Sequence, residues 1–227
     1  MMSFTPADID AIRLSAKVAV AATLVSLPFG IAVAYLMSYR SFRGKMLMEV
    51  VLNLPLTLPP VVIGYLLLLL LGRKGWLGGM LDAAGIRIIF TWYAAVIASA
   101  VVGFPLLVRS IRIAMESIDE RLIQASRTLG ARWYDAFVTV ILPLSLRGIV
   151  AGSSLMFGRS LGEFGATIII AGNIPGVTQT MPLAIYDYAS SPGGEGAALA
   201  LCLVAAGLSL LVLFIHEFLG SRMARRD

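Results

Sequence analysis

The sequence predicts an all-α polytopic membrane protein with about five transmembrane helices. Of its 227 residues, 59% are hydrophobic and only 14% are charged, whereas a typical soluble domain has about 25% charged residues. The mean hydropathy is +0.89. A chain of this size with so little charge has too few polar side chains to cover an apolar surface in water. A lipid bilayer is therefore the solvent that fits it.

Five apolar stretches are long enough to cross about 30 Å of hydrocarbon as helices. Four of them carry no charged residue, and these are Val18–Met37, Val50–Leu71, Ile88–Val108 and Gly196–Ile215. The fifth, from about Leu144 to Ala171, carries Arg159 and Glu163 within it and Arg147 near its start. We expect the whole chain, residues 1–227, to form one transmembrane domain.

The positions of the basic residues predict the orientation of these helices. With the N-terminus outside, twelve of the eighteen Lys and Arg residues lie in cytoplasmic segments, which satisfies the positive-inside rule and places the C-terminus in the cytoplasm. The net charge of +5 therefore indicates loops beside lipid headgroups, and we expect no nucleic-acid partner. The cytoplasmic basic residues are Arg40, Arg43 and Lys45; Arg109, Arg112, Arg121, Arg127, Arg132 and Arg147; and Arg222, Arg225 and Arg226.

The cytoplasmic loop at residues 109–143 is predicted to contain two short helices. The segment Ser117-Ile118-Asp119-Glu120 resembles a capping box that starts the first helix. Its apolar residues then recur at helical spacing, and Gly130 is predicted to end it, because glycine adopts the left-handed conformation without steric cost. The second helix runs from Trp133 to about Leu142, and Pro143 can open the next span. The apolar residues of the first helix are Ile118, Leu122, Ala125 and Leu129.

Two interpretations of this loop stay open on physical grounds. Two short helices that meet at a tight corner form a rigid projection that fits a cleft on a soluble partner. The same pair of helices is also compatible with an amphipathic segment that lies on the lipid headgroups.

The spacing of residues in this loop resembles that of bacterial ABC importer permeases. The family pattern is Glu-Ala-Ala, three residues, Gly, nine residues, Ile-x-Leu-Pro. This chain has Gln124-Ala125-Ser126, three residues, Gly130, nine residues, Val140-Ile141-Leu142-Pro143. The resemblance implies that the loop couples the chain to an ATP-hydrolysing subunit. Gln124 offers a hydrogen bond where the family has a carboxylate. The implied coupling residues are Gln124, Ala125, Ser126, Gly130, Ala131 and Pro143.

Other segments narrow the resemblance to one branch of the family. Residues 160–167 (SLGEFGAT) and 172–176 (GNIPG) are similar to molybdate and sulfate permeases. Residues 54–65 (LPLTLPPVVIGY) and 191–195 (SPGGE) are similar to molybdate permeases in particular. The likeness covers nearly the whole chain and implies a MetI-like, type I ABC importer core that imports molybdate, or tungstate. A sulfate or thiosulfate permease is the alternative, because these tetrahedral dianions are similar in size.

The resemblance also implies the partners of the chain. The printed sequence contains no Gly-x-x-x-x-Gly-Lys-Ser/Thr segment to hold nucleotide phosphates, so we expect ATP and Mg to be bound by a separate subunit and no cofactor by this chain. The implied complex lies in the bacterial inner membrane, surrounded by membrane lipid. It contains a second permease copy in a homodimer, two ATP-binding subunits and a periplasmic molybdate-binding protein.

Two other classes of protein fit the sequence less well. Secondary carriers are normally built from internal repeats with buried acidic coupling residues, and this chain has no detectable repeat. A membrane-embedded enzyme needs paired carboxylates, a metal cluster or an activated nucleophile. The chain has one cysteine and one histidine, so we expect no metal site and no catalytic residue.

Arg159 and Glu163 are the first candidates for the translocation path. They are four residues apart and are therefore expected on one helical face, where charges inside a membrane need a partner or water. Two interpretations stay open: an ion pair that stabilises the fourth span, and an outer gate at which Arg159 meets a passing dianion. Hydroxyl groups from Ser153, Ser160 and Thr167 are further candidates for contact with oxyanion oxygens.

Three prolines predict a kink in the second span. Pro55, Pro59 and Pro60 lack the N–H that a helix interior needs, and Asn53 is placed to bond a carbonyl group that the kink frees. We expect this span beside the dimer axis.

The stretch Asn173–Glu195 is predicted to contain a short outer helix, Met181–Tyr188, which is either a docking site for the binding protein or a lid over the spans.

Overall fold

The computed structural model describes residues 4–224, with side chains described for residues 4–218, and all its regular structure in that range is helical. This confirms the predicted all-α class. One segment, Phe137–Ile141, is π-helical. The α-helices are α1 (Pro6–Tyr39), α2 (Lys45–Thr57), α3 (Pro60–Leu71), α4 (Trp76–Ala83), α5 (Trp92–Glu116), α6 (Glu120–Thr128), α7 (Trp133–Ala136), α8 (Leu142–Leu144), α9 (Leu146–Leu161), α10 (Gly165–Ile170), α11 (Met181–Ala189) and α12 (Glu195–Ala224).

The described residues contain three to five membrane spans. Helices α1, α5 and α12 are each long and apolar enough to cross a membrane alone. Two further pairs, α2 with α3 and α7–α8 with α9, reach the required length only as bent units, with bends of 116° and 64°. The prediction of about five spans holds if each bent pair crosses once. Three basic residues used to predict the orientation, Arg222, Arg225 and Arg226, lie outside the residues whose side chains are described.

The second span is broken rather than kinked, which corrects the prediction of one helix over Val50–Leu71. Helix α2 ends at Thr57 and α3 begins at Pro60. Pro55 is tolerated inside α2, whereas Pro59 and Pro60 stop the helix because neither can donate a backbone hydrogen bond. Pro60 then suits the first position of a new helix, where no donor is needed.

The third span differs from its prediction at both ends. Helix α5 begins at Trp92 rather than Ile88, and it continues as far as Glu116, past Arg109, where the cytoplasmic loop is predicted to start. The extension is stabilised by Arg112, whose Nε donates to Glu116 one turn later at 2.6 Å. A charged pair at this spacing supports a helix that leaves the membrane.

Small residues let α1, α5 and α9 pack closely around the core. A Cβ atom on Gly152 of α9 would lie 2.9 Å from the Leu107 carbonyl oxygen of α5, and one on Gly30 of α1 would lie 2.7 Å from Leu107 Cδ2. Such close helix contacts are typical of membrane proteins, where packing rather than water exclusion holds helices together.

The two ends of the bundle are fixed by contacts between these helices. At one end, which we call the corner end, the Tyr39 hydroxyl donates to the Met115 carbonyl oxygen at 2.7 Å, just before α6. At the other, the amino end, Lys17 Nζ lies 3.9 Å from the centre of the Trp92 ring. Helices α1 and α5 therefore run parallel, because their first halves meet at the amino end and their last turns meet at the corner end.

Helix α3 contacts α10 through two glycines. A Cβ atom on Gly64 would lie 2.7 Å from the Ala166 carbonyl oxygen, and one on Gly165 would lie 2.9 Å from Pro60 Cβ. The backbone atoms of the two helices therefore approach each other directly.

We expect Gly64→Ala to lower the stability of the protein by about 1–3 kcal/mol, because the added methyl group overpacks this contact. Thermal unfolding of the detergent-solubilised protein measures the change. Gly207→Ala in α12 is the matched control, since a Cβ atom there has no neighbour within 4 Å. Equal unfolding temperatures for the two variants would contradict the close α3–α10 contact.

Candidate functional site

Two breaks between consecutive helices meet at one place in the bundle. The first break separates α2 from α3 at Leu58 and Pro59, and the second separates α9 from α10 at residues 162–164. The ideal Cβ position of Gly165, after the second break, is 2.9 Å from Cβ of Pro60, after the first. Non-helical backbone at membrane depth is tolerated where it is buried in protein or lines a water-filled path. This meeting point is the candidate translocation site.

A buried ion pair lies at the second break. Arg159 Nη1 is 2.8 Å from Glu163 Oε2, and the Glu163 side chain is 1% exposed against 31% for Arg159. Glu163 Oε1 also accepts a hydrogen bond from the Ala166 N–H at 2.8 Å. Oε2 thus faces a cation, while Oε1 caps the start of α10. A charge this deeply buried needs both partners.

The expectation that this pair shares one helical face is wrong. Helix α9 ends at Leu161, so Glu163 belongs to the non-helical connection that precedes α10. A turn after α9, in which the Glu163 N–H donates to the Ser160 carbonyl oxygen at 3.3 Å, keeps the carboxylate within reach of Arg159. The fourth span, predicted as continuous over Leu144–Ala171, is therefore interrupted at its charged residues.

The Arg159 side chain is partly exposed, and the backbone beside it borders open space. A Cβ atom added to Gly158 or Gly162, on either side of Arg159 in sequence, would meet no atom within 4 Å. Arg159 can therefore offer donors to an anion that enters this space, while Glu163 keeps the local net charge near zero.

The structure brings some of the predicted hydroxyl groups to this site and not others. Ser160 and Thr167 flank the break and are 4% and 1% exposed. The Ser160 Oγ has no hydrogen-bond partner among the described residues. Ser153 instead lines a groove between α1, α9 and α12, together with Thr23 and Val212. It lies on a different surface from Arg159.

Asn53 has a different role from the predicted one. Its Nδ2 donates to the Glu49 carbonyl oxygen at 2.8 Å, one turn earlier in α2. The carbonyl that Pro55 frees belongs to Val51, four residues before the proline. Asn53 therefore does not bond the freed group, and it lies exposed in α2 away from the ion pair.

A rigid corner lies at the corner end of the bundle, between α6 and α7. Gly130 has a φ of +91°. Its N–H donates to the Arg127 carbonyl oxygen at 3.0 Å, and the Ala131 N–H donates to the Ser126 carbonyl oxygen at 3.1 Å. These two bonds form a Schellman motif, the helix ending that favours glycine. The prediction that Gly130 ends this helix is confirmed.

The start of α6 differs from the predicted capping box. The Asp119 side chain accepts a hydrogen bond from the Arg121 N–H at 2.9 Å, so Asp119 is the N-cap. Ser117 still belongs to the end of α5, where its hydroxyl donates to the Ala114 carbonyl oxygen at 2.8 Å. Because α5 runs farther than predicted, Ser117 is not free to cap the next helix.

The apolar face of α6 points away from the body of the protein. Leu129 is 89% exposed and Leu122 is also exposed, whereas Ile118, from the same predicted face, and Ile123 pack against the core. Among the other predicted coupling residues, Gln124, Ala125 and Pro143 are exposed, and Ser126 and Ala131 are half-buried. An apolar helix face this open is typical of a surface that another molecule covers.

The predicted outer helix is present as α11 and is bound to α1. The Met181 N–H donates to Ser15 Oγ at 2.7 Å, and the Tyr188 hydroxyl donates to Asp8 Oδ1 at 2.8 Å. The bond to the Asp8 carboxylate raises the pKa of Tyr188 above its usual value, because it stabilises the protonated phenol. Helix α11 is thereby held at the amino end of the bundle.

Comparison with known proteins places the chain in a family. A family model described as "Binding-protein-dependent transport system inner membrane component" matches residues 26–225. The chain belongs to this family of transport permeases. Its members are transport components rather than enzymes.

Individual relatives match this permease over most of its length. It is 50% identical over 220 residues to the "Molybdenum transport system permease protein ModB" of Escherichia coli (strain K12), covering 96% of each chain. The protein of the same name from Haemophilus influenzae is 51% identical over 220 residues, again with 96% of each chain covered. The "Sulfate transport system permease protein CysW" of Synechococcus elongatus is 35% identical over 221 residues, which are 96% of this permease and 76% of that protein.

Solved structures share the fold of this permease. A bacterial ABC transporter involved in the import of the acidic polysaccharide alginate aligns with a TM-score of 0.76 at 16% identity, covering 96% of this chain and 80% of that one. The MetNI methionine ABC transporter in an inward-facing conformation aligns with a TM-score of 0.66 at 18% identity, covering 96% and 93%. The MetI-like fold expected from the sequence is confirmed.

One charged cluster of the permease was not predicted from the sequence. Arg112 Nη1 lies 2.7 Å from Glu49 Oε1, and Arg112 Nε lies 2.6 Å from Glu116 Oε1, so one guanidinium joins α2 to the end of α5. Arg109 lines the same cleft of about 470 Å³. Glu49 and Arg112 are 63 residues apart, and no local pattern indicates such a contact.

Proposed function

We propose that this permease forms the membrane path of an ATP-driven importer of molybdate, or tungstate, across the bacterial inner membrane. The observation that carries the proposal is its identity of 50–51% to molybdenum permeases over 96% of both chains. Identity to the sulfate permease CysW is 35%, and the aligned part is only 76% of that protein. Sulfate or thiosulfate import is the second candidate, supported by the similar size and charge of these dianions.

In this proposal the corner at Gly130 docks into a separate ATP-binding subunit. The exposed side chains of Leu122, Ala125 and Leu129 supply an apolar surface that a cleft on that subunit covers. The ATP-binding subunit holds ATP and Mg, and its closure moves the corner. Because α6 follows α5 after a short connection, a displacement of the corner moves the end of a membrane-spanning helix.

A second copy of the permease completes the path. Helix α2 has no buried residue over Lys45–Thr57, and its exposed apolar side chains support contact with an identical chain. In this proposal the break at Leu58 and Pro59 lies beside the dimer axis. The ion pair of Arg159 and Glu163 then lies next to a shared path, and a periplasmic molybdate-binding protein delivers the anion to the amino end, where α11 is held.

The orientation in this proposal has the N-terminus and α11 outside and the corner inside. We expect Ser190→Cys, after α11, to react with a membrane-impermeant maleimide in intact spheroplasts that express the permease without an ATP-binding subunit, whereas Leu129→Cys reacts only after the membrane is opened. Both positions are exposed in the structure, so the reaction of each cysteine with the maleimide depends on the side of the membrane on which it lies. Cys202 must first be replaced by Ala. Labelling of Leu129→Cys in intact spheroplasts would contradict the orientation.

Reconstitution tests the proposed function. Proteoliposomes that contain the permease and its ATP-binding subunit should take up labelled molybdate only with the binding protein outside and ATP inside, and unlabelled tungstate should compete. Competition by sulfate at equal concentration, stronger than that by tungstate, would favour the second candidate. Uptake by the permease alone along an ion gradient would instead indicate a secondary carrier and overturn the proposal.

A further inference from the structure

A cleft of about 580 Å³ lies at the amino end of the bundle, beside the end of α3. It is formed by α3, α4 and the connection that leads into α5. Its volume lies within the range of small-molecule sites. The lining is mainly apolar and includes Leu68, Leu71, Leu81, Ile86, Ile88 and Phe90.

The rim of this cleft carries an excess of positive charge. Arg73 and Arg87 share one carboxylate: Asp82 Oδ1 is 3.8 Å from Arg73 Nε and 3.6 Å from Arg87 Nε. Two cations and one anion leave a net charge of +1. Among the described residues neither guanidinium donates a hydrogen bond, and their side chains are 67% and 71% exposed. Their donors are therefore available to an anion.

The cleft opens at the level where membrane meets water. Phe90 lines the cleft, Trp76 begins α4 and Tyr93 lies in the first turn of α5. All three side chains are exposed, and exposed aromatic side chains are typical of the headgroup region of a bilayer. Leu69 and Leu70 of α3 continue the exposed apolar surface from the cleft toward the hydrocarbon. A ligand that occupies this place needs an anionic head and an apolar body.

We propose that this cleft binds one anionic phospholipid. The phosphodiester lies between Arg73 and Arg87, because guanidinium groups match the geometry of phosphate oxygens. One acyl chain covers the apolar lining between α3 and α4. A free oxyanion such as molybdate or phosphate would leave that lining uncovered, and Asp82 at the rim opposes a dianion more than a singly charged phosphodiester.

Native mass spectrometry of the purified permease tests this proposal, with phosphatidylglycerol and phosphatidylcholine of identical acyl chains as probes. We expect the protein to retain phosphatidylglycerol about tenfold more than phosphatidylcholine. The double variant R73Q/R87Q should lose this preference, and R73K/R87K should keep most of it, because the charge remains. Both positions are exposed, so neither variant disturbs the fold. The matched control R40Q/R43Q removes two arginines at the corner end and should keep the preference.

Two further measurements locate the lipid and exclude other ligands. Ile86→Gln makes the lining polar and should lower retention of both lipids while the preference for phosphatidylglycerol persists. Unchanged retention in that variant would overturn the acyl-chain contact. Release of phosphatidylglycerol by millimolar molybdate or inorganic phosphate would assign the rim to a free anion, and release by the binding protein would assign it to a protein contact. Either result would overturn the proposal.

Discussion

Replacing Arg159 with Gln is expected to cost about 3–5 kcal/mol of stability, because it leaves a buried carboxylate without its cation. Glu163 is 1% exposed and lies 2.8 Å from the guanidinium that the substitution removes. The remaining hydrogen bond from the Ala166 N–H does not balance the charge. Thermal unfolding of the purified variant measures the loss, and molybdate uptake into proteoliposomes should fall by at least about tenfold, which corresponds to about 1.4 kcal/mol.

The partner substitutions separate a structural role from a role in transport. Glu163→Gln should cost less than Arg159→Gln, because Arg159 is partly exposed to water and a Gln oxygen still accepts from Ala166. The double variant R159Q/E163Q carries no buried charge and should regain most of the stability. We expect its uptake to stay low, since the donors that meet the anion are gone. Uptake at the level of the unaltered protein would leave the pair with a structural role only.

Gly130→Val is expected to reduce ATP-dependent uptake at least about tenfold while the protein still inserts into the membrane. The φ of +91° at this position costs an L-residue about 1–2 kcal/mol, and a β-branched residue more. The strain opens the Schellman motif and displaces the corner from its docking position. ATP hydrolysis and uptake measured in the same proteoliposomes should become uncoupled.

Two control variants distinguish this effect from general strain. Gly85→Val introduces the same residue at a φ of +76°, also with no neighbour within 4 Å, but at the opposite end of α5, and it should leave coupling intact. Gly130→Asn should retain most of the uptake, because Asn adopts the left-handed conformation more readily. Equal losses in Gly130→Val and Gly85→Val would refute a specific role for the corner.

The sequence predicts the corner well because its determinants are local. A glycine that follows an apolar helix indicates a left-handed ending, and the structure has it at Gly130. The same local reasoning placed the cap at Ser117 rather than Asp119, because nothing in the sequence shows how far α5 extends. Arg112 in that extension accordingly bonds Glu49, which is distant in sequence and lies beside it only in the folded protein.

The candidate site was only partly predictable for a similar reason. Three prolines indicated an interruption of the second span but not a bend of 116°. The apolar composition of residues 144–171 also gave no indication that α9 ends at Leu161. The charged pair was predicted from its spacing, yet its two residues lie on either side of the end of α9. The α10 helix that follows the break begins at Gly165, which packs against Pro60 of the other interrupted span. Contacts between two interrupted helices cannot be derived from either helix alone.

The length of α1 determines where a protein that binds at the amino end contacts the permease. Its 34 residues extend about 51 Å, whereas the hydrocarbon layer is about 30 Å thick. Even a tilted α1 therefore raises its first turns above the lipid, and Asp8 and Ser15 in those turns hold α11. A protein that binds there contacts α11, which is attached to the part of α1 above the lipid. When α1 moves with the other membrane spans, α11 therefore moves with it.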